Sequence, residues 1–147
     1  TAVTLPPPGE ADNLSEDYHS LGLTLGRHPM SLLREHPDLK GCKRHQDLYA
    51  MGHKRFVRIA GIVTGRQRPG TATGVVFITL EDETGNSNIV VWRDLVERNR
   101  ATVVHSRLMK IKGVVEREGS VIHVIAGEIT DCSYLLGELE THSRDFH

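Results

Sequence analysis

The amino-acid sequence predicts a mainly β domain in which five strands are interrupted by one helix after the third strand. Short runs rich in β-branched residues recur between residues 57 and 126. Glycine- and proline-containing turns separate these runs. Residues 93–104 differ, because their apolar positions follow helical rather than alternating spacing. The chain has 147 residues, which suits one such domain with flanking segments.

Two segments are expected before this domain. Residues 1–13 contain the run Pro6-Pro7-Pro8-Gly9, which predicts an extended proline-rich linker. Residues 14–54 predict a helical and partly irregular connecting segment. Apolar residues recur at helical spacing from Leu14 to Leu25, and Pro29 fits the first turn of a second helix.

The strand-rich domain is expected over residues 55–131. Its strands are predicted, in chain order, at 57–64, 75–81, 88–92, 108–115 and 121–126, with the helix at 93–104. Beyond it, the leucines at 135, 136 and 139 predict a short C-terminal helix and a tail within 132–147.

This order of elements is that of an OB-fold, a five-stranded Greek-key barrel with a helix between strands 3 and 4. Two glycines support the barrel. Gly61 and Gly113 lie inside the first and fourth strands, where a small barrel bends sharply and a Cβ atom would crowd. An immunoglobulin-like sandwich is disfavoured, since it needs more strands and lacks such a helix.

Composition limits the possible functions. The formal net charge is -1, so any affinity for nucleic acid must come from a local cluster of cations. Cys42 and Cys132 are expected to be free thiols, as in cytoplasmic proteins. We find no apolar run of membrane-spanning length and no basic-then-apolar leader, so we expect a cytoplasmic protein without membrane contact.

OB-folds bind oligonucleotides across strands 2 and 3, between the first-to-second and fourth-to-fifth loops. Such a surface needs cations for phosphates and flat side chains for bases. Arg66 and Arg68 in the first-to-second loop are therefore candidate phosphate ligands, although a solvated loop is the alternative. Strand alternation places Phe77 and Thr79 outward if the intervening residues face the core, and a slip of one residue would invert this.

The other candidates lie on strands 3 to 5. Trp92 could stack on a base or pack under the following helix. Lys110 and Lys112 share an outward strand face, which could equally be an ordinary solvated face. Arg117 in the fourth-to-fifth loop and His123 on strand 5 complete the set of possible nucleic-acid contacts.

No catalytic or cofactor motif emerges. The sequence lacks phosphate-binding-loop, zinc-finger and nucleophile-elbow patterns. The spacing of His36, Cys42, His45 and His53 matches no standard zinc arrangement, so no metal or other cofactor is expected. Asp82 and Glu83 are expected to cap and solvate the turn that ends at Gly85 rather than to catalyse a reaction.

Three stretches, 57–63, 66–72 and 77–85, resemble the C-terminal OB region of the bacterial C-family DNA polymerases, relatives of the replicative polymerase III alpha subunit. The sequence Arg-Gln-Arg-Pro-Gly at 66–70 and the terminus from Ser143 to His147 are similar to the error-prone, damage-inducible branch. The stretch from Tyr18 to Leu33 resembles the segment that joins the helical DNA-binding region to the OB domain.

This resemblance implies a single-stranded-DNA-binding module that serves translesion synthesis, DNA repair and damage-induced mutagenesis. The fragment itself would not be an enzyme, because the metal-binding aspartates of the parent polymerase would lie upstream of Thr1. Accessory mutagenesis proteins are further expected partners. Gln46-Asp47-Leu48-Tyr49 is a poor match to the sliding-clamp motif of the replicative relatives.

Two alternatives remain open. A protein-interaction module that docks accessory factors would suit the near-neutral charge. A tRNA-binding OB domain, as in a synthetase, would share the Leu80 to Gly85 pattern, although the tail and the segment before Phe56 argue against it.

Overall fold

The computed structural model describes residues 26–70 and 73–145, which contain a closed barrel of five strands. The strands are β1 Phe56–Gln67, β2 Val76–Asp82, β3 Gly85–Val91, β4 Leu108–Glu118 and β5 Val121–Asp131. Their order around the barrel is β1-β2-β3-β5-β4, and β4 closes onto β1. Neighbouring strands are antiparallel except for the parallel pair β3 and β5. This confirms the predicted OB-fold barrel.

The helix between β3 and β4 is present but divided in two. Asn99 adopts a non-helical backbone conformation (φ −132°, ψ 38°), and its side-chain amide donates to the carbonyl of Leu95 at 3.0 Å. The single helix predicted over 93–104 was therefore wrong in this detail. The helix predicted between Leu14 and Leu25 lies outside the described residues. The helices are α1 Pro29–Leu33, α2 Arg93–Arg98, α3 Arg100–His105 and α4 Tyr134–Asp145, with 3₁₀ turns at Pro37–Leu39 and His45–Ala50.

Alternation along the strands separates the barrel core from its outer surface. Val76, Ile78 and Leu80 of β2 are buried in the core, as predicted. A second apolar cluster lies outside the barrel, where α1, the first 3₁₀ turn and α4 cover Ala60, Ile62 and Leu108 on the outer side of β1 and β4. These helical segments therefore shield this part of the outer barrel surface from solvent.

Neighbouring strands approach closely at two glycines, where the sequence predicts that a Cβ atom would crowd. A Cβ atom on Gly113 would lie 2.3 Å from the carbonyl oxygen of Ile125, and one on Gly61 would lie 2.9 Å from that of Glu81. The β4–β5 register also shifts between Lys112 and Gly113. Only glycine allows these close approaches between strands.

The turn between β2 and β3 is held by a polar clasp, which we define as Arg34, His45, Asp82, Glu83 and Thr84. Asp82 is 5% exposed and accepts hydrogen bonds from the backbone N–H groups of Thr84 and His45, both at 2.7 Å. The Arg34 guanidinium donates to Glu83 at 2.7 Å and to Asp82 at 3.2 Å. The clasp thereby fastens the segment before β1 to the barrel.

Charge pairing and hydrogen bonding shift the pKa values of two clasp residues, Arg34 and Glu83. Burial alone would lower the pKa of Arg34, but the hydrogen bond to Glu83 and the two carboxylates hold it above its ordinary value. Burial likewise opposes ionisation of Glu83, and the hydrogen bonds that it accepts from Arg34 and the backbone outweigh burial and lower its pKa. Asp82 caps the turn as predicted, whereas Glu83 is paired rather than solvated.

The two cysteines are free thiols, and burial raises the pKa of both. Within residues 26–70 and 73–145, the helices are too short or too polar to cross a lipid bilayer.

Candidate nucleic-acid interface

An apolar row crosses the outer surface of all five strands. Strand pairing places Phe77 opposite Val90, Val90 opposite Ile125, Ile125 opposite Val114 and Val114 opposite Phe56. None of these five side chains belongs to either core cluster, although Val90 is only 7% exposed, and at least one neighbour of each along its strand is a core residue. They therefore face outward and form one band across the barrel wall.

Three aromatic side chains on or beside this row are accessible. Phe56 is 85% exposed, Trp92 is 55% exposed and Phe77 is 37% exposed. Trp92 follows the end of β3 and, two residues beyond Val90, lies on the same side of the strand. Trp92 is thus an outer-face residue rather than one packed beneath the helix, and Phe77 is turned outward as the predicted register required.

A polar row runs beside the apolar one. Thr79 pairs with Asn88, Asn88 with His123, and His123 with Glu116. Asn88 is exposed and the other three are half-buried. Thr79 and His123, both predicted contacts, therefore lie on one band with hydrogen-bonding groups on four adjacent strands.

A depression on this face, the Phe56–Trp92 groove, has a volume of about 680 Å³. Phe56 and Trp92 line it from opposite ends of the strand order β3-β5-β4-β1, and Gly113 and Gly127 line it between them. Its charged members are Lys54, Lys112, Glu116 and Glu128. The Lys112 ammonium and the Glu128 carboxylate are 3.6 Å apart, and both side chains are about half exposed.

A second depression of about 410 Å³ continues from the groove. It shares Phe56, Lys112 and Gly113 with the groove and adds Lys43 and Arg58. Arg58 pairs with Lys112 across β1 and β4, so these two cations lie side by side. No carboxylate lines this second depression among the residues that the structure covers.

Arg66 has a structural partner. Its Nε donates to the carbonyl of Val103 at 2.6 Å, and its Nη2 donates to the carbonyl of Ser106. Burial lowers the pKa of this guanidinium. These contacts tie β1 to the end of α3, where helix carbonyls lack partners and a cation is favourable. Arg68 follows β1, is half-buried and already has an interaction partner.

Two more predicted cations bind backbone carbonyls. Lys110 donates from Nζ to the carbonyl of Asp38 at 3.1 Å. Arg117 donates from Nη1 to the carbonyls of Tyr49 and Met51, at 3.1 and 2.9 Å. Both therefore anchor the segment before β1. Contact of Arg66, Lys110 or Arg117 with phosphate stays a prediction, and Lys112 is the candidate of this set that lines the groove.

Sequence reasoning missed Phe56, Lys54, Arg58 and Lys43. A signal for two of them was present, because Val57 and Ile59 are core residues and alternation then turns Phe56 and Arg58 outward. Lys54 and Lys43 could not be placed this way, since both precede the strand. Across residues 26–70 and 73–145, no three His, Cys, Asp or Glu side chains group as metal ligands.

The fold and this surface define a class of protein. The sequence matches the family described as the OB-fold nucleic acid binding domain over residues 57–131, which is half of the chain. The chain therefore belongs to the family of OB-fold nucleic acid binding domains.

The chain's curated relatives share a more specific description than the OB-fold family does. The chain is 54% identical over 144 residues to the error-prone DNA polymerase of Pseudomonas fluorescens, a match covering 98% of this chain and 14% of the relative. It is 50% identical over 140 residues to the error-prone DNA polymerase of Vibrio campbellii, covering 95% of this chain and 14% of the relative. The resemblance to error-prone DNA polymerases is confirmed, and the chain spans only that small share of their length.

Solved structures show the same fold at low sequence identity. Asparaginyl-tRNA synthetase from Pyrococcus horikoshii superposes with a TM-score of 0.52 at 18% identity, covering 62% of this chain and 23% of that protein. This likeness concerns the barrel and carries no information about the ligand.

Proposed function

We propose that this chain is a single-stranded-DNA-binding module of an error-prone translesion DNA polymerase. The observation that supports it best is the pair of accessible aromatic residues, Phe77 and Trp92, on the outer face of β2 and β3. OB-folds bind oligonucleotides on this face. Because the chain is 50–54% identical to error-prone DNA polymerases, DNA is the nucleic acid that we expect it to bind.

In this role, successive bases stack on Phe77 and Trp92, since every base offers a flat face to an aromatic ring. Thr79 and His123 on the adjacent polar row donate hydrogen bonds to the sugar-phosphate backbone. Lys112 neutralises a phosphate. Binding is expected to be weak, tolerant of sequence and sensitive to salt, because few cations contribute.

The module would hold template strand near the polymerase active site, which would lie upstream in the parent protein. Its biological setting would be DNA repair and damage-induced mutagenesis in the cytoplasm. No residue of this chain is assigned to nucleotidyl transfer.

The test is fluorescence anisotropy of a labelled oligo-dT of about 15 nucleotides, titrated with the wild-type chain at low and raised salt. Phe77→Ala is the test variant. Tyr134→Ala is the matched control, because Tyr134 is an accessible aromatic residue on α4. Stacking of one base predicts that Phe77→Ala weakens binding by about 5- to 100-fold and that Tyr134→Ala does not.

Two results would contradict the proposal. Absence of oligo-dT binding even at low salt would favour the protein-interaction module, with accessory mutagenesis proteins or the sliding clamp as partners. Preference for folded tRNA over oligo-dT would favour the tRNA-binding alternative.

A further inference from the structure

The outer face of β2 and β3 does not end at β3. The apolar row continues from Val90 through Ile125 and Val114 to Phe56. From β2 to β1 along this row there are four inter-strand steps, or roughly 19 Å. At about 3.4 Å per stacked nucleotide, a strand of about five or six nucleotides would cover that distance.

Phe56 has no role in the barrel core. It is 85% exposed and lies in neither apolar cluster, although it begins β1. Exposing a phenylalanine to this extent forfeits the free energy that its burial would contribute. A ligand that covers the ring would recover part of this free energy, so Phe56 is suited to contact rather than to packing.

The groove beside Phe56 suits a flat ligand. The side chains of Val114 and Ile125 give the groove an apolar lining between its two aromatic residues, and Gly127, which has no side chain, lies on the same outward face of β5 as Ile125. Phe56 and Trp92 offer aromatic faces at its two sides. Purine and pyrimidine rings are planar and stack on such side chains.

Charge points to an anionic ligand at the Phe56 end. Lys43, Arg58 and Lys112 line the second depression, and Lys54 lines the groove. The acids of the groove are Glu116 and Glu128, of which Glu128 already neighbours Lys112. The cations therefore exceed the acids around Phe56, and a chain of phosphates complements this excess.

We propose that the Phe56–Trp92 groove is a second nucleobase subsite, which receives the same DNA strand beyond Phe77 and shares Trp92 with the first site. Phe56 stacks on a base at the far end. Lys43 and Arg58 bind the phosphates that follow. This inference rests on the proposed function and extends it to strands β5, β4 and β1.

An acidic peptide with an aromatic side chain is the competing occupant of this groove. Continuity favours DNA, because one apolar row joins Phe77 to Phe56 and a single ligand can use both ends. A peptide would leave the link between the two aromatic sites without a purpose.

The experiment compares oligo-dT of about four and about 15 nucleotides, which bracket the site sizes of OB-folds. Binding is followed by quenching of Trp92, the only tryptophan in the chain, and by anisotropy. The variants are Phe56→Ala, Phe56→Leu and Phe77→Ala. Leucine keeps the apolar bulk but removes the flat ring.

The long oligonucleotide should bind both Phe56 variants about 5- to 100-fold more weakly than wild type. The short one should be weakened by Phe77→Ala and little affected by Phe56→Ala. Wild-type affinity of Phe56→Ala for the long oligonucleotide would overturn the inference and leave the proposed function intact. Retained affinity in Phe56→Leu with loss in Phe56→Ala would also overturn base stacking, because an apolar contact without a flat ring would then be enough to hold the DNA strand. Absence of binding by the wild type would overturn both proposals.

The phosphate contacts have their own control. Lys43→Ala/Arg58→Ala removes two cations of the second depression, and Arg98→Ala/Arg100→Ala removes two from α2 and α3. For the long oligonucleotide, Lys43→Ala/Arg58→Ala should make the negative slope of log affinity against log salt shallower by about 1.4, since each phosphate contact on a single strand contributes about 0.7. Equal slopes for both pairs would contradict the assigned phosphate path.

Discussion

The clasp at the β2–β3 turn and the Phe56–Trp92 groove use similar residue types in opposite ways. In the clasp, Arg34, Asp82 and Glu83 are largely buried, and each has a partner within the chain. In the groove, Phe56 and Trp92 are exposed, and Lys54 and Arg58 at its margin reach into solvent. Burial and pairing, rather than residue type, therefore separate the charges that hold the fold from the charges available to a ligand.

Asp82→Ala should produce the largest effect, because it breaks the clasp at its most buried charge. It removes the acceptor of the His45, Thr84 and Gly85 backbone N–H groups and leaves Arg34 with one carboxylate fewer. Breaking a buried pair typically costs about 3–5 kcal/mol. Urea unfolding should show a loss of this order.

The matched control is Glu97→Ala, which removes an exposed pair with Arg93. Exposed pairs contribute about 1 kcal/mol or less. A loss for Asp82→Ala no greater than that of Glu97→Ala would refute the structural role of the clasp.

Gly113→Ala should destabilise the chain by disturbing the close approach of β4 and β5 beside the groove. Its Cβ would meet the Ile125 carbonyl oxygen at 2.3 Å, and relieving such overpacking costs about 1–3 kcal/mol. Gly127→Ala is the control, since Gly127 also lines the groove but a Cβ atom there would lie 3.5 Å from its nearest neighbour. Thermal unfolding should separate the two variants, and equal midpoints would contradict the tight β4–β5 approach.

The clasp should also make stability depend on pH. The folded-state pKa of Glu83 lies below its ordinary value of about 4.5, so the unfolded state binds the proton more tightly. The contribution of Glu83 is fully present above the ordinary value and is lost as pH falls through the folded pKa. Urea midpoints measured down this range should fall more for wild type than for Glu83→Gln. Parallel curves would contradict the assignment.

Lys112→Gln should have the smallest effect. Lys112 neighbours Glu128 on the surface, so its removal should change the free energy of unfolding by less than about 1 kcal/mol. If Lys112 contacts one phosphate, the negative slope of log affinity for oligo-dT against log salt should become shallower by about 0.7 in the variant. Anisotropy titrations over a range of salt would measure it, and an unchanged slope would remove Lys112 from the proposed interface.

Local pattern was enough to predict the barrel and the direction of its strand residues. Val76, Ile78 and Leu80 alternate with Phe77 because a pleated strand sends successive side chains to opposite faces. The close approach at Gly113 was readable for a related reason, because a glycine inside a strand marks a place without room for a side chain.

The partners of the cations could not be predicted. Arg117 bonds to Tyr49, which lies 68 residues earlier, and Lys110 bonds to Asp38, 72 residues earlier. Such pairs depend on how the segment before β1 lies against the barrel, and strand alternation contains no information about it. The division of the helix at Asn99 was missed although asparagine favours helix boundaries.

The parallel seam between β3 and β5 has a consequence for how the barrel opens. It runs from Asn88 to Val90 along β3 and from His123 to Ile125 along β5, while the β4–β5 ladder extends from Met109 to Glu118. Local opening begins where few backbone hydrogen bonds join neighbouring strands, so amide protons at this seam should exchange with solvent before those of the β4–β5 ladder. The apolar row crosses the seam at Val90 and Ile125. A DNA strand bound along the row would therefore contact both β3 and β5 and slow the exchange of amide protons at the seam.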